Sequence, residues 1–476
     1  MMGRFVWRIV KMKNATVRLE SIEIRKFKNV CYGKLNFENS RTYYDASILG
    51  LYGQNGSGKT ALIDAIALLK FALAGQEVPL QFADYINIDA SFANLKYFFK
   101  VRNLEIEAEY NVVYEFDIRK EISESSQKYK AVIFDEVLSY SYELKDEKLK
   151  LQSLIDTRTD DVFVPVSKYN ELVGSGKGTK TTLIAHKKFA LISSKSFVFS
   201  SELLDVIRVN CKEKRHLFLI ESLVFYGNFE LFVINTANSG MITVNGLPLN
   251  FKYEEKGKIS IGNFMINLNE STLFSEKQLN VAKKVIENMN IVLAKLVPGL
   301  TIGVRELGTE LAEDASKKVK IQLVSMKNDK DIPLKYESEG IKKIISVLQL
   351  LIVVYNNPST TVAIDELDSG IFEYLLGEIL RIISKKGVGQ LIFTSHNLRP
   401  LETIDRGFIA FTTTDPKERY IRLANIKTNN NLRDFYYRDI VLGEQRKPVY
   451  DSTNNYEIDL AFMEAGETFI ETGDNK

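Results

Sequence analysis

Apolar positions along the 476-residue chain change rhythm several times, and each rhythm predicts a different element. Near the start they alternate: Val17 and Leu19, then Ile22 and Ile24, with polar residues between, followed by Lys34 to Glu38. A period of two predicts a pair of half-buried strands. Ser47-Ile-Leu-Gly-Leu-Tyr52 is a short apolar strand that runs directly into glycines, and Ala61 to Leu73, rich in Ala, Leu, Ile and Lys, predicts a helix after them. From about Ala90 to Tyr142 the period is again two, as in an antiparallel sheet. Lys148 to Thr272 mixes helical stretches, short strands and a Gly/Lys/Thr stretch from Gly174 to Thr182 that reads as a loop, with no repeat and no sustained heptads.

Glu276 to Leu296 returns to helical spacing, through Val281, Val285, Met289, Val292 and Leu296, and strands follow at Leu300 to Leu307 and Lys318 to Met326. Then come a helix from Ile341 to Tyr355 closed by Asn-Asn-Pro, a strand Thr361 to Ile364, a helix Ile371 to Ser384 and a strand Gln390 to Thr394. Alternating strand and helix at both ends of the chain predicts an α/β fold whose mostly parallel sheet is completed from both termini. Four segments are expected: an N-terminal lobe with the antiparallel β-subdomain over 1–147, a compact helical insertion lobe over 148–272, a C-terminal lobe over 273–426 and an extension over 427–476.

Composition narrows the picture. Hydrophobic residues at 45% and charged residues at 26% suit a large core. The net charge of +2, from 63 basic and 61 acidic residues, provides no global field for nucleic acid, so a DNA contact needs a local patch. No run is long and apolar enough to span a bilayer, so no membrane partner is expected, and the basic start MMGRFVWRIVKMKN lacks the apolar centre of a signal peptide. Cys31 and Cys211 form no metal-ligand pair and read as small buried hydrophobes in a reducing cytoplasm.

Gly53-Gln-Asn-Gly-Ser-Gly-Lys-Thr60 fits G-x-x-x-x-G-K-[ST] in full, between the predicted strand and helix. Gly53, Gly56 and Gly58 let the backbone curl so that successive N–H groups point at phosphate oxygens, and Asn55, Ser57 and Ala61 complete the cradle. The helix adds its positive dipole end. Lys59 is placed to reach the β- and γ-phosphates and the Thr60 hydroxyl to ligate Mg²⁺, so ATP with Mg²⁺ is the expected ligand. A P-loop also requires a metal-holding acid at the end of an apolar strand. Val362-Ala-Ile-Asp365-Glu366 supplies it: Asp365 for the metal, Glu366 as general base on the attacking water. Val132-Ile-Phe-Asp135-Glu136 has the same local shape, but its alternating flanks place it in the antiparallel sheet. Gln390-Leu-Ile-Phe-Thr394-Ser-His396 is a second buried strand. It carries one of only three histidines, the others being His186 and His216, to a point from which it could sense the γ-phosphate.

Taken in order, these are Phe27-Lys28, the glycine loop, a long insertion, Ser338-x-Gly340-x-x-Lys343 before a helix, Asp365-Glu366, Leu367-Asp368 and His396. That order resembles the ABC-type ATPases of the SMC and overcoming-lysogenization-defect families. The resemblance implies an ABC/SMC-like P-loop NTPase, with Ser338 and Gly340 in the signature motif that touches ATP bound to another protomer. Leu367-Asp368 would be the D-loop, His396 the switch histidine and Lys28 a nucleotide contact. A homo-dimer or higher homo-oligomer with ATP sandwiched between copies follows. The stretches Ile48 to Lys70 and Thr394 to Glu402 also look like ATPase subunits of phage-defence systems such as PARIS and Septu, which implies a separate nuclease or toxin effector. The glutamine loop of the family has only Gln81 and Gln127 as candidates here. A DNA repair or recombination ATPase, and a small-molecule P-loop kinase with no role for Ser338, remain as alternatives. The tail residues Arg433, Tyr436, Tyr437 and Arg438 read as an edge packed on the ATPase lobe, with a docking strip as the alternative.

Overall fold

The computed structural model describes residues 6–8, 14–39, 43–123, 127–144, 147–255, 258–311, 316–327, 330–423, 431–443 and 445–471. At its centre lies a six-stranded sheet. From one edge to the other its strands are Tyr420–Ile421, Ile409–Thr412, Ser47–Tyr52, Gln390–Thr394, Thr361–Ile364 and Leu231–Ile234. All adjacent pairs are parallel except the first. The sheet is buried on both faces, and the strand period of two deals alternate residues to two cores. Leu49, Leu51, Ala363 and Ile392 face one core, with the helix Lys59–Leu73; Ile48, Tyr52, Val362, Ile364 and Phe393 face the other, with the helices Glu276–Leu296, Glu339–Asn356 and Glu373–Lys386.

A second six-stranded sheet, fully antiparallel, covers the first core. Its order is Val30–Asn36, Ala15–Phe27, Phe92–Asn103, Ala108–Ile122, Tyr129–Glu143, Lys148–Asp156. Tyr97 ties it to the P-loop helix by donating its hydroxyl proton to the Ala65 carbonyl at 2.7 Å. A register shift between Leu19 and Ser21 explains why the inward positions run Val17, Leu19, then Ile22 and Ile24.

Three expectations change. The segment 148–272 is shared out among several layers. Its first strand extends the antiparallel sheet, Leu183, Leu203 and Leu219 of its helices enter the first core, and Leu231–Ile234 forms the edge of the parallel sheet beside Thr361–Ile364. The parallel sheet is therefore completed from the middle of the chain as well as from its ends. The stretch from Gly174 to Thr182, read as a loop, is helical from Lys177 onward. That helix runs to Ile192, and Leu183 and Ala190, seven residues apart, pin one side of an otherwise polar element to the core. Cys31 and Cys211 are half-buried rather than buried. Thr428 to Asn430 lie outside the described residues; beyond them Tyr436, on the helix Leu432–Leu442, is buried against Phe411 with ring centroids 4.7 Å apart.

Candidate functional site

The strand order decides what meets what. Gln390–Thr394 lies between the P-loop strand and Thr361–Ile364, so Gly53, His396 and Asp365 emerge at the same carboxyl edge of the sheet. That edge is where open α/β sheets bind ligands. A cavity of about 360 Å³ opens there. From the P-loop side it is lined by Lys28, Asn55, Gly56, Gly58, Lys59, Thr60 and Ala61, and from the other strands by Asp365, Glu366 and His396.

The loop takes the conformation its glycines permit. Gly53, Gly56 and Gly58 all have positive φ, at 152°, 75° and 94°. A Cβ on Gly53 would collide with the Thr412 hydroxyl of the neighbouring strand, so no side chain fits there. Gly53 and Ser57 sit behind the cavity wall: the Ser57 hydroxyl donates to the Gln54 carbonyl at 2.6 Å and lies 2.5 Å from the Thr412 hydroxyl. Lys59 is buried, and its ammonium donates to the Gly53 and Gln54 carbonyls at 2.8 and 2.9 Å. Burial pushes it below the ordinary lysine value, opposed by the charges of Asp365, Glu366 and Asp368.

Asp365 is 1% exposed. Its Oδ1 accepts the Thr394 hydroxyl proton at 2.6 Å, and Thr394 Oγ1 in turn accepts from the Glu366 backbone N–H at 2.8 Å. Its Oδ2 is buried without a partner. A buried carboxylate oxygen facing no donor is costly unless a cation completes it, so the donor set of Asp365 and the Thr60 hydroxyl fits Mg²⁺. Glu366 stands at φ 49°, a kink that ends the strand. Asp368 uses Oδ2 to accept the backbone N–H groups of His396 and Asn397 at 3.0 and 2.9 Å, which fixes the turn carrying the exposed His396 ring.

Lys28 lines the cavity, but its ammonium is committed to Asp64 on the P-loop helix and lies 4.2 Å from the centroid of the Tyr85 ring. Ser338 and Gly340 are not among the lining residues. Ser338 is an exposed N-cap that accepts the Ile341 N–H at 3.3 Å. Gly340 is pressed against the Gly370 carbonyl, where a Cβ would collide, so the helix start is locked to the turn after Asp368. From this helix the buried Lys343 feels Glu366, Asp368 and Asp365, although burial outweighs them and lowers its value. Gln81 and Gln127 do not line the cavity.

Three contributors escaped the sequence reading. The Asn29 side chain donates to the Gly56 carbonyl. The Arg419 guanidinium donates to the Thr413 and Asn29 carbonyls at 2.7 and 2.6 Å while its stem flanks Gly58, and Tyr420 donates to the Gly58 carbonyl at 3.0 Å. Tyr420, 362 residues from Gly58, and its neighbour Arg419 brace the loop from elements without a local motif.

A family model described as an AAA domain matches residues 21–204. No curated protein matches the chain. Among solved structures, an SMC head bound to the C-winged helix domain of ScpA aligns at 14% identity over 85% of this chain and 97% of its own, with a TM-score of 0.38. An SMC head domain from Thermotoga maritima aligns at 14% identity, 86% and 100% coverage and 0.37. The recombination mediator RecF aligns at 13%, 86% and 99% coverage and 0.36. Its own strand order, glycine loop and acidic strand end make the chain an α/β protein with a mostly parallel central sheet and a phosphate-loop motif at the carboxyl edge of that sheet.

Proposed function

We propose that this chain is a Mg²⁺-dependent ATPase in which two copies close over ATP, and that this closure controls a separate nuclease or toxin effector in anti-phage defence. The observation that carries the ATPase reading is the partnerless Asp365 Oδ2, buried at the floor of a cavity walled by the glycine loop. Asp365 and Thr60 would hold the metal, which screens phosphate charge when bound. Loop N–H groups and Lys59 hold the β- and γ-phosphates. Glu366, whose carboxylate has no hydrogen-bond or ion-pair partner among the described residues, accepts the proton of the attacking water, and His396 orients that water or the γ-phosphate. Ser338 and Gly340 support the two-copy reading: they start an exposed helix N-terminus outside their own cavity, free to meet the phosphate of another copy. The effector role is supported by the likeness of Ile48 to Lys70 and Thr394 to Glu402 to defence subunits.

Phosphate release and sedimentation together test it. E366Q should bind ATP, lose about 10²–10³-fold in turnover and sediment as a dimer with ATP. Ser338→Arg should abolish both turnover and dimer. A monomer in both cases, with turnover retained in the Ser338 variant, would leave a kinase-like monomer instead. Turnover stimulated by duplex DNA would favour a DNA-clamping ATPase over effector control.

A further inference from the structure

Every residue of the helix Asn455–Glu471 whose exposure the structure describes, 455–466, is exposed. A solvated helix should not be this apolar, yet Tyr456 is 73% exposed, Phe462 76% and Met463 59%. Ile458 and Phe462 fall at i and i+4, on one face. Its charge is of one sign, with Glu457, Asp459, Glu464, Glu467 and Glu471 and no lysine or arginine.

Elsewhere the fold leaves a groove of about 320 Å³ between the helices Glu276–Leu296, Glu339–Asn356 and Glu373–Lys386, lined by residues including Leu296, Leu351, Tyr355, Ile379 and Ile382. Lysines surround it. Lys295 adjoins Leu296, and Lys385 and Lys386 lie one turn beyond Ile382; all three are exposed. An apolar trough with basic flanks complements an acidic helix with an apolar face. We infer that the C-terminal helix of one copy docks in this groove on a second copy.

The second copy, rather than the same one, follows from the tether. The Asp451 backbone N–H is fixed to the Gln54 side chain in the phosphate loop at 2.7 Å, and only three residues separate it from Asn455. They span at most about 14 Å. The helix therefore leaves from the rim of the nucleotide cavity, the surface that faces the other copy in the sandwich proposed above, and in this respect the inference rests on that reading. There it meets the partner's Ser338-capped helix, whose second half forms the groove.

Site-directed cross-linking tests this. With Cys31 and Cys211 replaced by serine, one chain carries Phe462→Cys and another, of different mass, carries Ile382→Cys. Both are placed in the E366Q background with ATP and mildly oxidised. A cross-linked heterodimer is expected. Lys385→Glu with Lys386→Glu should reduce its yield about tenfold, and Glu457→Lys with Glu464→Lys should restore it. A chain carrying both cysteines that cross-links only to itself overturns the inference in favour of docking within one copy, and absence of any cross-link in a sample that sediments as dimer overturns it outright. Cross-linking without an ATP-dependent dimer would sink the sandwich and keep the helix exchange, so the two readings fail separately.

Discussion

Two strand segments in this molecule carry nearly the same five residues and do opposite things. Val132-Ile-Phe-Asp135-Glu136 and Val362-Ala-Ile-Asp365-Glu366 both close a run of apolar residues with paired carboxylates, and each sets one acid at positive φ: Asp135 at 52°, within the strand Tyr129–Glu143, and Glu366 at 49°, just past Thr361–Ile364. The kink falls one residue apart, and the buried acid changes with it. In the first, the kink makes a bulge opposite Phe116 and turns Glu136 inward, where it accepts from Tyr114 at 2.6 Å, from Ser196, and from the Phe197 and Val198 N–H groups at 2.6 and 3.4 Å. In the second, Asp365 goes inward and keeps one oxygen without a partner. Size does not separate them, since the cleft beside Asp135 and Glu136, about 530 Å³, is larger than the nucleotide cavity. What separates them is unsatisfied valence: a carboxylate with four donors is structural, and one with a bare oxygen beside a glycine cradle has room for a cation.

The sharpest way to break this comparison is to neutralise an acid in each pair. Asp365→Asn should lower phosphate release about 10³-fold, on the scale of a lost charge-stabilising contact, whereas Asp135→Asn should leave it within about twofold. Equal losses would mean that the two acidic pairs are not functionally distinct. Stability should show the reverse. Glu136→Ala strips acceptors from four buried donors and should cost about 3 kcal/mol in denaturant unfolding. Glu136→Gln keeps an acceptor oxygen for the Phe197 N–H and should cost less. Burial also raises the Glu136 value despite its donors. A carboxyl with a raised folded value is more stable protonated, so its contribution falls as pH rises through the acid range, and Glu136→Gln should flatten that fall.

This pair also shows how far the sequence could be read. The alternating flanks of Asp135 placed it in the antiparallel sheet, and the cradle, Asp365, Glu366 and His396 converge as their strand ends predicted, because short-range pattern determines strand type and strand type determines the edge where residues emerge. What stayed illegible depends on long-range pairing. Nothing local marks Leu231–Ile234 as the neighbour of Thr361–Ile364, Arg419 as a brace behind Gly58, or Lys28 as the partner of Asp64. The helix from Lys177 was hidden because only Leu183 and Ala190 of its mostly polar surface are buried.

A lysine faces each acidic pair, Lys187 half-buried and Lys343 buried, and extends the comparison with smaller effects. Lys187 lies beside Asp135 and Glu136, and its ammonium donates to the Thr157, Thr159 and Asp161 carbonyls at 2.8, 2.7 and 2.8 Å. Lys187→Met should cost about 2 kcal/mol, read by thermal unfolding, because three carbonyls lose their donor.

Lys343 is the counterpart at the nucleotide end, and its effect should be the smallest and should appear chiefly as a pH dependence. Burial lowers its value below that of the unfolded chain, near 10.5, more than Glu366, Asp368 and Asp365 raise it. In the pH interval below the unfolded value the unfolded chain then binds more protons than the folded one, so stability rises with pH there. Lys343→Met removes that rise, and the difference in melting temperature between variant and parent should shift in the parent's favour from pH 8 toward pH 10. If the difference stays constant across that range, the acids around Asp365 offset the burial of Lys343 in full, and the two acidic pairs are electrostatically more alike than their hydrogen bonds suggest.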